Sequence, residues 1–212
     1  CGEDRVRSYF AMRKFSLVKD RKKIRRCGLN NKPILLLALL DQGYWPEGLY
    51  TAPSDEALVY DIRTAKALGF NTLRKHCKVE PDRWYYHCDR LGMIVWQDIV
   101  NGGGYGALRQ TYIPNILMNP PRHWRDDTPA MHRYLCRADE RGRAEFPKQM
   151  KETVRALYSH PSIAEWGPFN EGWGQFDADR ITKLLRKADP TRLIDQASGW
   201  FDQWGGDFYS IH

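Results

Sequence analysis

From residue 34 onward the chain alternates apolar runs of strand length with amphipathic stretches of helical period, which restricts its fold more than any other feature. Residues 34–40 are continuously apolar, the pattern of a strand covered on both faces. Pro53 and Ser54 open a helix with Leu58, Ile62, Ala65 and Leu68 on one side and Gly69 as its stop. A second strand spans 70–75. Pro81, at a first helical position, starts a helix over 82–91, with Trp84, Cys88 and Leu91 on one face and Gly92 closing it. The third strand is 93–96. Phe146, Met150, Val154 and Leu157 mark the next helix, and a strand follows at 163–169. Ile181, Leu184, Leu185 and Ala188 mark another helix. Its acids Asp177 and Asp179 lie in the first turn and its bases Arg186 and Lys187 in the last, as the helix dipole favours. Strands at about 192–197 and 207–212 complete the pattern.

Repeated strand–helix units predict parallel strands in an α/β fold. Links from helix to strand are short, whereas the segments 41–53 and 97 to about 145 are long, and both leave the carboxyl ends of strands. The long loops therefore share one face, the functional face of parallel α/β folds, whether barrel or open sheet. A loop as long as 97–145 is functional or hides short elements. Residues 1–33 fall outside the alternation. There, 6–13 reads as extended and 29–33 as a turn, so the segment is a β-hairpin or the tail of a preceding β domain.

A hydrophobic content of 42% and a charged content of 28% place the chain among globular rather than disordered sequences. Its net charge of +7 raises nucleic acid as a partner. The densest basic run, 19–26, has no aromatics and matches no nucleic-acid module, so it reads as a solvated hairpin face. Five cysteines form no CxxC pair and read as free thiols, which suit a reducing compartment such as the cytoplasm. The chain begins with Cys rather than Met, so localisation stays open. His76-Cys77 and His87-Cys88 match no common zinc spacing, and neither a metal nor another cofactor is expected. No apolar run is long enough to span a bilayer, and no membrane partner is expected.

Polar residues collect where strands end: Asp41 after the first, Arg74 and His76 after the second, Asp98 after the third, Asn170, Glu171 and Trp173 after the fourth. Trp200 follows the fifth, and the sixth ends in His212. Acids, bases and tryptophan planes around one mouth suit a polyhydroxylated ligand. Glycosidic cleavage needs two carboxyl groups flanking the bond, one giving a proton and the other attacking the anomeric carbon or activating water. Glu171, set in sequence among Trp166, Phe169 and Trp173, is the candidate proton donor, since an apolar setting raises a carboxyl pKa.

The segments "WGPFNEGWGQ", "LDQGYWPEGLYTAPSDEAL" and "GFNTLRKHCKVEPDRWYYHCDRLGMIVWQD" resemble, in that family's order of barrel strands, glycoside hydrolase family 2, the β-galactosidase and β-glucuronidase family. The resemblance covers about residues 5 to 212. It implies an incomplete (β/α)8 TIM barrel of about six strands over 34–212, with 1–33 as the last strands of an immunoglobulin-like sandwich. It makes Glu171 the general acid/base and Asn170 its substrate-binding partner, with Arg74, His76 and Asp98 lining the sugar pocket. The family is retaining, with a nucleophilic Glu on strand seven, and no residue here matches it. The chain alone is thus expected not to turn over β-glycosides. A carbohydrate-binding pseudoenzyme is the alternative, and nucleic-acid binding through the basic run the lesser one.

Overall fold

The computed structural model describes residues 3–104, 124–199 and 201–211. Its centre is a parallel five-stranded sheet in the order β4-β5-β6-β7-β8, formed by Ala38–Asp41, Thr72–Lys75, Ile94–Asp98, Ile163–Gly167 and Leu193–Ile194. Helices α1 (Asp55–Ala67), α2 (Asp82–Leu91), α3 (Pro129–Tyr134), α4 (Glu140–Leu157) and α5 (Ala178–Ala188) connect the strands. This is the α/β alternation expected, as an open run of barrel strands.

Local chemistry sets the helix ends. Ser54 accepts a hydrogen bond from the Ala57 N–H at 3.2 Å, capping α1. Pro81 is the N-cap of α2, one position before the first helical residue expected for it, and Gly92 closes that helix at φ 67. Helix α4 begins at Glu140, where the Asp139 carboxylate takes the Arg141 and Gly142 N–H groups. It buries the expected stripe Phe146, Met150, Val154 and Leu157. Those side chains, with Leu58, Ile62, Trp84, Tyr85, Val95, Trp166, Phe176, Ile181 and Leu185, form one core between helices and sheet. Each such side chain contributes about 1.5–3 kcal/mol by leaving water. Arg192 closes the lower edge of this core. Only 2% exposed, it donates to Asp189 and to the carbonyls of Tyr158, His160 and Ile163.

The strand register sorts side chains into two rows. Arg74, Trp96, Glu165 and Leu193 are aligned across the sheet, and so are Asp41, Lys75, Gln97, Trp166 and Ile194. Because side chains alternate along a strand, the two rows face opposite sides. The second row meets the helices, and the first faces the concave side.

Three expectations need correction. Residues 34–37 are not strand, and Leu35, Leu37 and Leu40 are exposed, because among the described residues β4 is the sheet's edge and pairs only with β5. Leu68 is the C-cap of α1 and 70% exposed rather than part of its stripe. The 97–145 loop does hide a short element, as expected: α3, whose six residues are too few to show a period. No sixth strand forms among the described residues of 207–212. There the Asp207 N–H donates to the Ile194 carbonyl, its carboxylate takes Ile194 N–H and Arg186, and Phe208 packs on Trp96. The segment thus meets β8 at one residue, by a backbone and a side-chain bond, instead of laddering along it.

Before the barrel strands, β1 (Phe15–Lys19), β2 (Arg25–Leu29) and β3 (Lys32–Pro33) form an antiparallel sheet, and 6–13 joins no ladder. The basic run is the β1–β2 hairpin, with residues 21–26 exposed and Asp20 accepting the Lys22 and Ile24 N–H groups. Asn30 and Asn31, at φ 51 and 65, make the two-residue turn into β3. Among the described residues no helix is long and apolar enough to cross a membrane.

Candidate active site

The concave row begins with an ion pair. The Arg74 Nε and Nη2 atoms donate to the two oxygens of Asp98 at 3.2 and 3.0 Å, a planar fork on a carboxylate. Nη2 also donates to the Asn170 side-chain oxygen at 2.7 Å. The guanidinium thus ties the ends of β5 and β6 to the first residues beyond β7. With its oxygen engaged, Asn170 has amide N–H groups left to offer a ligand. The Asp98 carboxylate accepts in addition the Cys77 N–H, and burial pushes its pKa up against the pull of Arg74.

Glu171 follows directly, at φ 53, and Gly172 and Gly174 also have positive φ. The chain here leaves its strand through a tight left-handed turn, with the Trp173 N–H on the Asn170 carbonyl at 3.1 Å. Glycine at 174 is required, since a Cβ there would collide with the Gly102 carbonyl oxygen. The Asn101 amide donates to the Trp173 carbonyl, and the Gly174 N–H to that of Leu135. Beyond it, Gln175 donates to Asp126 and to the Phe201 carbonyl, while the Asp126 carboxylate takes the Ala178 N–H at the start of α5. Burial raises the Asp126 pKa to about 6 despite those donors. The loop carrying Glu171 is therefore anchored at both ends.

A cavity of about 220 Å³ opens at this point, lined by His76, Cys77, Asn101, Asn170, Glu171 and Trp173. It offers a carboxyl group, an imidazole, amides and one indole plane, which suits hydrogen bonding to hydroxyls with an aromatic face alongside. The sequence-predicted Glu171, Asn170, His76 and Trp173 come together here, with Arg74 and Asp98 directly behind them.

Asp41 does not join them. Its row faces the helices, and its carboxylate pairs with buried Lys75 at 2.8 Å. Trp166 and Phe169 also face away from the cavity. The Trp166 indole donates to Asp189 beside α5, and Phe169 stacks on Phe146 of α4 at 5.3 Å. The apolar cup expected around Glu171 is thus reduced to Trp173, because the alternation along β7 turns Trp166 outward. Trp200 and His212 lie outside the described residues. Cys77 and Asn101 were missed. Each stands within three residues of a predicted site residue, which is the sole hint the sequence carries.

A second acidic group lies deeper on the concave face. Glu165, 3% exposed, has its pKa pushed well above the ordinary value by burial and then by nearby Asp195. Asp195 is likewise raised by burial, and the Ser210 hydroxyl donates to it.

Residues 27–208 match the family "Glycosyl hydrolases family 2, TIM barrel domain". A β-galactosidase of Leuconostoc mesenteroides is 26% identical over 177 residues, 82% of this chain and 14% of that protein. Among solved structures, β-glucuronidase 3 of Bacteroides uniformis superposes with a TM-score of 0.61 at 18% identity, covering 87% of this chain and 21% of that one. A β-galacturonidase of Eisenbergiella tayi, bound to galacturonate, gives a TM-score of 0.61 at 18% identity over 87% of this chain and 28% of its own. The chain thus spans between about a seventh and three-tenths of these relatives.

Proposed function

The chain belongs to glycosyl hydrolase family 2, and from that premise we propose that it forms the proton-transfer side of a β-glycoside hydrolase site, with Glu171 as general acid/base. The observation that carries this reading is the cavity at the carboxyl end of β7, where Glu171 stands beside an Asn170 held by Arg74. In the first step Glu171 gives its proton to the glycosidic oxygen as the bond breaks. In the second it takes a proton from the water that releases the sugar, so the carboxyl returns to its starting state. Asn170 donates to a ring hydroxyl, an interaction that strengthens as charge develops at the anomeric carbon. Trp173 supplies a face for the sugar's C–H groups.

Retention requires a second carboxylate roughly 5–5.5 Å from the first. Asp98 is not that group, because it stands behind the cavity rather than on its lining and its charge is paired with Arg74. The family resemblance assigns that role to a seventh strand, beyond the five described here. Glu171 is the single carboxylate among the described residues that line the cavity, and this favours one second reading, sugar binding without turnover. We read 1–33 as the end of an immunoglobulin-like sandwich, on the strength of the antiparallel β1–β3 sheet.

Binding is tested on the 212-residue chain by NMR against methyl β-glycosides of glucose, galactose, mannose and glucuronate. The expected result is that at least one shifts the Trp173 indole and Asn170 amide signals, with affinity falling about tenfold in Asn170→Ala. If no sugar moves either signal, the site reading fails.

A further inference from the structure

His76 and Cys77 are adjacent in the turn after β5, and Asp98 ends β6. One ring nitrogen, one sulfur and one carboxylate oxygen from them lie within 4.8 Å of one another. We infer that these three side chains form a binding site for a soft divalent cation of the zinc or cadmium type, on the inner wall of the cavity.

The donor set is what such ions select: thiolate, imidazole and carboxylate, at metal distances of about 2.0–2.3 Å in tetrahedral geometry. Ligand atoms around one such ion stand roughly 3.3–3.8 Å apart by that geometry. The Cys77 Sγ lies 3.9 Å from the Asp98 Oδ2, so little movement closes the pair, whereas an S–H···O bond of that length is weak. Neighbours orient two of the ligands. Asp98, 3% exposed, is held by Arg74 and the Cys77 N–H, and the His76 Nδ1 lies 3.3 Å from the Gln42 side-chain nitrogen. Three protein ligands leave a fourth position toward the cavity.

Charge permits the ion despite Arg74. Burial, Asp98 and nearby Glu171 hold the free Cys77 thiol protonated, so the ion must displace that proton; once it does, Cys77, Asp98 and Glu171 set three anionic groups against the one guanidinium of Arg74. On binding, Cys77 releases its thiol proton to solvent and the sulfur pair forms the metal bond. The other His-Cys pair has no such arrangement: Cys88 is fully buried in the core, and His87 faces Asp55 at 3.6 Å.

This inference does not depend on Glu171 being catalytic, and its test reads binding alone. Cd²⁺ is titrated into the reduced 212-residue chain and the thiolate-to-metal charge-transfer absorption is followed. The expected result is a band saturating at one equivalent, absent in Cys77→Ser, with affinity at least about tenfold weaker in His76→Gln. In parallel, Zn²⁺ is expected to protect Cys77 of the unaltered chain from iodoacetamide, read by peptide mass, while Cys136 keeps its rate. That arm decides if Cys77→Ser fails to fold by circular dichroism. An undiminished band in folded Cys77→Ser, or equal Cys77 alkylation with and without Zn²⁺, overturns the site.

Discussion

Arg74 and Lys75 are neighbours on β5, both cations and both held by carboxylates, yet they belong to two different regions of the molecule. Lys75 lies on the helix side, 1% exposed, between Asp41 at 2.8 Å and Glu80 at 2.9 Å and over the Trp84 ring at 4.4 Å. Glu80 in turn takes Lys78, which donates to the carbonyls of Gly43 and Tyr50. That cluster closes on itself, tying the loop after β4 to the loop after β5. Arg74, on the concave side, ends in Asn170 at the edge of a cavity. A charged residue at a strand's carboxyl end is thus not functional by position alone. The face it takes decides whether its bonds are used up in the fold or leave a group free for a ligand.

If the two cations were equivalent, their substitution would have matching effects. Lys75→Met should instead lower stability by about 3 kcal/mol, since it leaves buried Glu80 with Lys78 alone and Asp41 without its partner. Urea unfolding measures this, and a loss under about 1 kcal/mol would merge the two regions.

The Asp126 anchor of the Glu171 loop should show next, as a pH effect. Its folded pKa of about 6 lies above the ordinary 3.8, so between pH 4 and 6 the folded state keeps a proton that the unfolded state has lost. Stability should therefore fall as pH rises through that window, by up to about 3 kcal/mol. Asp126→Asn should flatten the profile of unfolding midpoint against pH.

The smallest effect is expected at Arg74 itself. Arg74→Lys keeps a charge beside Asp98 but cannot span Asp98 and Asn170 together. Sugar affinity should fall about tenfold, near 1.4 kcal/mol, with the unfolding midpoint little changed. A larger loss of stability than of affinity would make Arg74 another structural cation.

The alternation of elements was legible because periodicity and caps are local: Ser54, Gly92 and the Phe146–Leu157 stripe behave as their spacing implies. So was the gathering of Asn170, Glu171 and His76, since parallel strands bring their carboxyl ends together. The failures are failures of facing and of distance in sequence. Asp41 and Trp166 end up beside the helices because the parity of each strand depends on its register, which no single strand reveals. Cys77 meets Asp98 from 21 residues away, a juxtaposition that short-range metal spacing rules cannot see. The exposed leucines at 35, 37 and 40 show that an apolar run reports what a strand can bury, not what covers it in the described structure.

Glu171 as proton donor is tested most directly by leaving-group dependence in the protein that carries this barrel. kcat/KM is measured for Glu171→Gln across aryl and alkyl β-glycosides of graded leaving-group acidity, on the sugar that binds. Substrates with poor leaving groups are predicted to slow by roughly 100- to 10,000-fold, the usual worth of general acid catalysis, while the most activated aryl glycosides keep their rate. An equal loss across the whole series would contradict the assignment.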